Sequence, residues 1–146
     1  MDSDSEPPES VPNSVTQLTL NGYNAISASD NSRYTSPDPG NGDEASLKCD
    51  FIISEKPSSV TKIGVLWEGY PAVAYDVTIW FWNINTKAWD AKATLRCLTS
   101  DTNIAATITT GISNYINANG HFIFCVQNRD DSDRLITDFL KLEIMV

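Results

Sequence analysis

The chain has 146 residues, of which 41% are hydrophobic, and this is enough for a single globular domain with its own core. Its formal net charge is −9, from 19 acidic and 10 basic residues, which argues against a nucleic-acid partner and against an anionic membrane surface. No apolar run approaches the ~20 residues that a membrane-spanning helix requires, so membrane insertion is not expected.

The N-terminal part of the chain is rich in turn-forming and polar residues. Three prolines among Ser, Asp and Glu predict a flexible tail or linker at 1–14, followed by a single domain at 15–146. A first strand is predicted at Val15–Leu20, ended by the turn dipeptide Asn21-Gly22. The stretch Ser29–Glu44 contains many Asp, Asn, Pro and Gly residues and is predicted to be a long loop.

The middle of the chain alternates apolar and polar residues with a period of two, the pattern of half-buried strands. This alternation predicts strands at Leu47–Ile53, at Ile63–Trp67 and at Tyr75–Trp82. The segment 68–71, with its Gly and Pro, is expected to end the second of them. One or two further strands are predicted within Ala88–Leu98.

The C-terminal part continues the same pattern after one interruption. The spacing of apolar residues in 112–116, followed by Asn119-Gly120, predicts one short helix with a glycine cap. Alternation in 122–126 predicts the penultimate strand, and Asp138–Val146 is predicted to be the last. About eight strands with little helix predict an all-β antiparallel sandwich that is jelly-roll-like.

An acidic segment precedes the last strand and leads into Asp138. Asp138 has the same parity as Leu140 and Leu142, so we expect its carboxylate at the rim of the core, where it needs a partner. Calcium takes six to eight oxygen ligands and suits an irregular acidic loop, so the candidate metal ligands are Asp130, Asp133 and Asp138. The alternative is a solvated hairpin loop in which neighbouring arginines offset the acidic residues.

Aromatic residues mark a second candidate site. Within Tyr75–Trp82, Trp80 and Trp82 share the face opposite to the aliphatic row of the same strand. Two residues at i and i+2 lie about 6.5–7 Å apart, which suits stacking on a sugar chain. Tyr70, beside a proline, is the third candidate carbohydrate-binding residue. The alternative is that the N-terminal tail or the long loop covers the two Trp side chains as a minor core.

The remaining reactive residues favour structural roles. Cys49, Cys97 and Cys125 fall within strand-like runs, and both three buried thiols and one disulfide with a free thiol are compatible with their spacing. His121, the one histidine, begins an apolar strand. Since no G-x-S-x-G, H-E-x-x-H, P-loop or dinucleotide-binding pattern is present, we predict a non-enzyme.

From Trp89 onwards the chain contains a strand, the segment SNYINANG (113–120), an aromatic strand, an acidic loop and TDFLKLEI (137–144). This order resembles the second half of jelly-roll carbohydrate-binding modules and related accessory domains of secreted microbial surface proteins. The resemblance implies a structural calcium held by the Asp that opens the final strand, which is Asp138 here. The acidic residue that such modules place early in the first strand has no clear counterpart in Val15–Leu20.

The sequence therefore predicts a non-catalytic binding module at the cell surface or outside the cell, with a polysaccharide ligand and a structural calcium. The alternative is a self-assembling subunit of a filament, sheath or surface layer, which would use its N-terminal tail for strand addition to a neighbouring copy. An adhesion or spacer domain without a ligand is a third possibility.

Overall fold

The computed structural model describes residues 19–36, 44–130 and 133–146. The described part contains one α-helix, α1 (Leu20–Ile26), and eight strands: β1 (Tyr34–Ser36), β2 (Ser46–Ile52), β3 (Lys62–Pro71), β4 (Tyr75–Asn83), β5 (Ala88–Cys97), β6 (Thr102–Ile108), β7 (His121–Asn128) and β8 (Leu135–Met145). All pairings are antiparallel, with the order β1-β8-β3-β6 in sheet 1 and β2-β7-β4-β5 in sheet 2. The predicted antiparallel sandwich with about eight strands is confirmed.

The core lies between the two sheets and is filled by alternate residues of the central strands. Strand side chains point to opposite faces in turn, so each central strand contributes one apolar row to the core and one row to an outer face. The Phe81 ring meets those of Phe122 and Tyr115 edge-on, with centroids 5.0 and 5.9 Å apart. The largest fully buried side chains are Trp67, Phe81, Phe122, Phe124, Ile63, Ile79 and Leu135.

Most predicted strands are present close to their predicted positions. The alternating segments of the middle and C-terminal parts correspond to β2, β3, β4, β5, β7 and β8. The region Ala88–Leu98 forms one strand rather than two, paired with β4 across a short turn. In that turn the Asn83 side-chain oxygen accepts hydrogen bonds from the backbone N–H groups of Asn85 and Thr86.

The predicted first strand, Val15–Leu20, is wrong at its last two residues, which are the ones that the structure describes. Leu20 begins helix α1 instead of ending a strand, and Gly22 lies inside the helix rather than in a turn. The Thr19 side chain accepts a hydrogen bond from the Gly22 N–H at 3.2 Å, an N-cap that outweighs the turn tendency of Asn-Gly. The predicted tail at 1–14 and residues 15–18 lie outside the described residues. Among the described residues, no helix is long and apolar enough to cross a membrane.

Three further elements differ from the sequence prediction. The predicted loop Ser29–Glu44 contains β1, which pairs with β8 at the edge of sheet 1. The sequence does not predict β6, because small residues weaken the contrast between its apolar and polar positions. Ile104 and Ala106 are nevertheless buried with the period of two expected of a strand. β3 also continues through Gly69 to Pro71 instead of ending there, and the proline occupies the last position of the strand, where it is tolerated.

The predicted short helix is a single 3₁₀ turn, Ile112–Asn114. It follows Gly111, whose φ of +64° lies in the left-handed region that favours glycine. Gly120 also has positive φ, at +82°, but it does not cap this helix. Its carbonyl accepts a hydrogen bond from the Ile53 N–H at 2.9 Å, so Gly120 instead joins the start of β7 to the end of β2.

A polar network closes the end of the sandwich beside the β4–β5 turn. The Tyr115 hydroxyl donates to Asp90 Oδ2 at 2.6 Å, and the Asn83 side-chain amide donates to the same oxygen at 3.0 Å. Desolvation alone would raise the pKa of Asp90, but these hydrogen bonds and the nearby charge of Lys92 together lower it. The ionised carboxylate is therefore the form that the folded state stabilises.

We expect this network to make stability depend on pH. Because the pKa of Asp90 is lower in the folded state, the ionised carboxylate stabilises the fold. This stabilisation is fully present above the unfolded pKa of about 3.9 and is lost as the pH falls through the lower folded value. In urea unfolding, the stability difference between wild type and Asp90→Asn should shrink between neutral pH and about pH 3. A difference that is independent of pH would contradict this assignment.

The three cysteines are free thiols in the structure. Cys49 and Cys125 lie on neighbouring strands but on opposite faces of sheet 2, since Cys49 packs against the core and Cys125 lies in a cluster on the outer face. Burial raises the pKa of both thiols to about 12 and that of Cys97 to about 11. Each therefore behaves as a small hydrophobic residue.

Thiol titration tests this arrangement. At about pH 8, near the ordinary thiol pKa of about 8.5, the native protein should react slowly with a disulfide reagent because the buried thiols remain protonated. The denatured protein, kept free of reductant, should show three reactive groups. Finding only one reactive group would mean that two cysteines are paired.

Candidate functional site

The outer face of sheet 2 carries a group of aromatic side chains. Val77, Ile79 and Phe81 are fully buried in the core, so Trp80 and Trp82 point outward, as their parity predicts. Pairing with β5 and β7 places Trp80 opposite Ala91 and Cys125, and places Trp82 opposite Trp89. The face therefore has an aromatic region at the β4–β5 edge of the sheet.

These tryptophans pack on one another rather than lying flat and separate. Trp80 and Trp89 are 8% and 3% exposed and form a small cluster with Cys125, against which the half-buried Trp82 packs. The rings of Trp82 and Trp89 are T-shaped, with centroids 5.2 Å apart. Trp82 thus lies at the margin of the cluster and Trp80 within it.

Cationic side chains lie over several of these rings. The Arg129 guanidinium is 5.2 Å from the Trp80 ring centroid, and the Lys48 ammonium is 5.5 Å from that of Trp89. Such contacts contribute about 0.5–1 kcal/mol at exposed sites and more when desolvated. Two of the chain's 10 basic residues therefore lie over aromatic rings on the outer face of sheet 2.

A cavity of about 290 Å³ lies beside Trp80 on this face. Two aromatic and four polar side chains line it, a more polar lining than most small-ligand sites have, and its volume is at the lower limit of such sites. The polar groups include the Thr78 and Thr94 hydroxyls, which are hydrogen-bonded at 2.9 Å. The lining residues are Tyr75, Asp76, Thr78, Trp80, Ala91, Thr94 and Arg129.

The third predicted aromatic residue, Tyr70, lies on the other sheet. It is on β3 of sheet 1, where the Arg33 guanidinium carbon is 5.6 Å from its ring centroid. Tyr75, which begins β4 and is 37% exposed, occupies the position beside Trp80 instead. Which tyrosine lies beside the tryptophans depends on sheet pairing, and the sequence contains no local signal for it.

A β-bulge places Asp138 on the outer face of sheet 1. Glu68 pairs with Phe139 and Gly69 pairs with Thr137, so Asp138 is the extra residue of β8 at this point. The Trp67 indole N–H donates to the Thr137 hydroxyl at 2.9 Å inside the core. The expected alternation from Asp138 to Leu140 is thus interrupted. Because Trp67 faces the core, its neighbour Glu68 faces outward, and the Asp138 carboxylate lies beside that of Glu68.

Asp138 belongs to a cluster of three carboxylates. Oxygens of Glu68, Asp101 and Asp138 all lie within 4.8 Å of one another. Asp138 is 1% exposed, and its Oδ1 has no hydrogen-bond partner among the described residues. Arg33 is the nearby cation, with Nη2 2.6 Å from Asp101 Oδ2, and Ser29 Oγ donates to Glu68 Oε1 at 3.1 Å.

The structure does not bring the other two predicted metal ligands into this cluster. The Asp130 backbone N–H donates to the Asn128 side chain, and Asp133 Oδ1 accepts from the Arg134 N–H. Within the described ranges, neither carboxylate joins the group that contains Asp138. Sequence reasoning missed Glu68 and Asp101 because no spacing pattern connects them to Asp138. Near this site, the one local indication of an irregular strand is Gly69, because a glycine inside a strand often marks a bulge.

Comparison with known proteins gives a family and a fold. The family model AF_1625_C, described as "Uncharacterized protein, C-terminal domain", matches residues 2–146. No curated protein matches the sequence. A solved structure titled "CBM4 structure and function" superposes with a TM-score of 0.51 over 77% of this chain and 70% of its own, at 9% identity. At this identity the likeness shows a shared jelly-roll β-sandwich fold.

The bulge at Gly69 gives a test of how closely β3 and β8 approach there. A Cβ at Gly69 would lie 2.1 Å from the Ile136 carbonyl oxygen and 2.7 Å from the Trp67 ring, so Gly69→Ala should destabilise the fold by at least about 1–3 kcal/mol. Gly64→Ala on the same strand is the matched control, because its nearest atoms would be side-chain atoms 3.5 Å away. Equal unfolding free energies for the two variants would contradict the bulge geometry.

Proposed function

We propose that this chain, which belongs to the AF_1625_C family, is a non-catalytic carbohydrate-binding module that uses the outer face of sheet 2. The observation that carries the proposal is the cavity beside Trp80, lined by aromatic and polar side chains on an open sheet face. The structural neighbour is a CBM4, a carbohydrate-binding module with the same kind of sandwich, and this likeness supports the choice of ligand class.

The chemistry of the cavity suits a sugar ring. A pyranose has apolar C–H faces, which pack on aromatic rings such as Tyr75, and a rim of hydroxyl groups, which need donors and acceptors. Asp76 and Arg129 supply an acceptor and a donor at the cavity wall. Stacking on an aromatic ring contributes on the order of 1 kcal/mol beyond area burial, by analogy with aromatic pairs.

Sheet 2 is the better candidate because the outer face of sheet 1 is partly covered. Helix α1 packs against β8 of that sheet. The proposal therefore replaces Tyr70 with Tyr75 and keeps Trp80 and Trp82. The net charge of −9 favours a neutral, hydroxyl-rich ligand over an acidic one.

A site of this size should bind single sugars weakly and polymers usefully, where several sites act together. A polysaccharide ligand implies a location outside the cell or at its surface, and this is part of the proposal. Self-assembly through the N-terminal tail stays a prediction, since that tail lies outside the described residues.

Tyr75→Ala tests the proposed site. Tyr75 is 37% exposed, so its loss should abolish retention on an insoluble glycan while changing the melting temperature little. Tyr23→Ala is the matched control, because Tyr23 is 57% exposed on α1, away from sheet 2, and should keep wild-type binding. The measurement is pull-down on a panel of insoluble polysaccharides, together with thermal unfolding of each variant.

Two outcomes would contradict the proposal. One is that wild-type protein binds none of the polysaccharides in the panel, and the other is that the Tyr75 variant binds as well as the Tyr23 variant. Trp82→Ala adds a second check at the margin of the aromatic cluster, where binding should weaken. A stability loss of ~3 kcal/mol or more would place Trp82 in a core rather than in a ligand site.

A further inference from the structure

We propose that the outer edge of β2, the side that faces away from β7, is an interaction surface for a second copy of this chain. The two copies of β2 would pair antiparallel and form a two-fold symmetric dimer. β2 ends sheet 2 on the side away from β4 and β5, and no described strand lies beyond it. The dimer does not depend on the proposed carbohydrate binding, because it uses a strand edge and not the cavity beside Trp80.

Half of the backbone groups of β2 point toward this outer edge. The Ile53 N–H donates to the Gly120 carbonyl, and the Asn128 N–H donates to the Ala45 carbonyl. Because the register with β7 is regular between these two contacts, the odd-numbered residues direct their N–H and C=O groups toward β7. The even-numbered residues of the strand direct theirs toward the outer edge: Ser46, Lys48, Asp50 and Ile52. Such a row of donors and acceptors is a template for another strand.

β2 suits this pairing better than the other strands at the sheet edges. β1 has only three residues, and the ladder of β5 is irregular opposite Ile79 and Trp80. β6 has no exposed large apolar side chain, whereas Phe51 and Ile52 of β2 are 37% and 71% exposed. β2 is thus a regular edge of seven residues with apolar side chains in contact with solvent, a combination that proteins usually avoid at an unpaired edge.

Charge complementarity selects one register for the pair. When the pair is centred on Cys49, Lys48 lies opposite the partner's Asp50, and Asp50 lies opposite the partner's Lys48. This register also aligns all seven residues of the strand with their copies. Centring the pair on residue 48 or 50 would instead place like charges directly opposite each other, which is destabilising. Charges on an edge strand usually oppose pairing, but in this register they attract.

The same register covers exposed apolar surface. Phe51 lies opposite the partner's Leu47 on the face of the strand that packs against the core, and Ile52 lies opposite the partner's Ser46 on the outer face. A pair of seven-residue strands is at the small end of specific interfaces. We therefore expect a reversible dimer whose population rises with protein concentration.

The dimer would join the two copies of sheet 2 into one eight-stranded sheet. Residues opposite each other in an antiparallel pair lie on the same face, so both cavities beside Trp80 would belong to one face of the joined sheet. Two cavities on one particle would strengthen retention on a polymer. This consequence rests on the proposed function, whereas the dimer itself does not.

Charge reversal tests both the dimer and its register. In sedimentation velocity over a concentration series, wild type should convert from monomer to a species of twice the mass. Lys48→Glu and Asp50→Lys should each weaken dimerisation at least about tenfold, because each substitution turns two opposite-charge pairs into two like-charge pairs. An equimolar mixture of the two variants should dimerise like wild type, since the charges of the mixed pair are complementary again.

Lys141→Glu is the matched control. Lys141 is exposed on β8, inside sheet 1 and away from any sheet edge, so this variant should dimerise like wild type. If a single variant does not fold, the double variant Lys48→Glu/Asp50→Lys gives the same test, because it reverses both charges in one chain and should restore the dimer.

The proposal is overturned if wild type stays monomeric at every concentration, whichever segment covers β2 instead. It is also overturned if the single variants dimerise as well as wild type, if neither the mixture nor the double variant regains the dimer, or if Lys141→Glu loses it. Failure to bind any glycan by a protein that dimerises as described would contradict the proposed function alone.

Discussion

The pairing of β3 with β8 is the constraint on which the rest of the structure depends. It runs from Lys62 to Pro71 and joins the middle of the chain to its C-terminal segment across the centre of sheet 1. Trp67 packs into the core from this ladder, and its indole N–H, which would otherwise be a buried donor without a partner, bonds the Thr137 hydroxyl. The approach is so close at Gly69 that no side chain fits, so the one irregularity of the ladder occurs at a glycine.

That irregularity changes the role of one carboxylate. In a regular strand, Asp138 would share a face with Leu140 and lie among apolar side chains, where an ionised group is very unfavourable. The bulge inserts one extra residue and shifts the alternation, so the carboxylate lies beside Glu68 and Asp101 on the outer face instead. The bulge thus places the carboxylate in an acidic cluster instead of among the apolar side chains of the core. Bulges commonly redirect side chains in this way.

The two outer faces of the sandwich are therefore chemically different. The outer face of sheet 1 is acidic around Asp138 and is crossed by the segment from α1 to β1. The outer face of sheet 2 carries the tryptophan cluster, cations over its rings and a cavity. Because a sandwich core uses only one face of each sheet, the side chains of the two outer faces can differ in this way.

What the sequence determined by itself is the local alternation and its consequences. The period of two in the central segments was enough to predict most strands, the sandwich class, and the outward direction of Trp80 and Trp82, because side-chain direction in a strand depends only on neighbouring residues. Tertiary structure alone decided which residues meet: Tyr75 rather than Tyr70 beside Trp80, and Glu68 rather than Asp133 beside Asp138. These contacts follow from strand order, register and a bulge, which arise from pairing between distant segments and leave no periodic signal in either one.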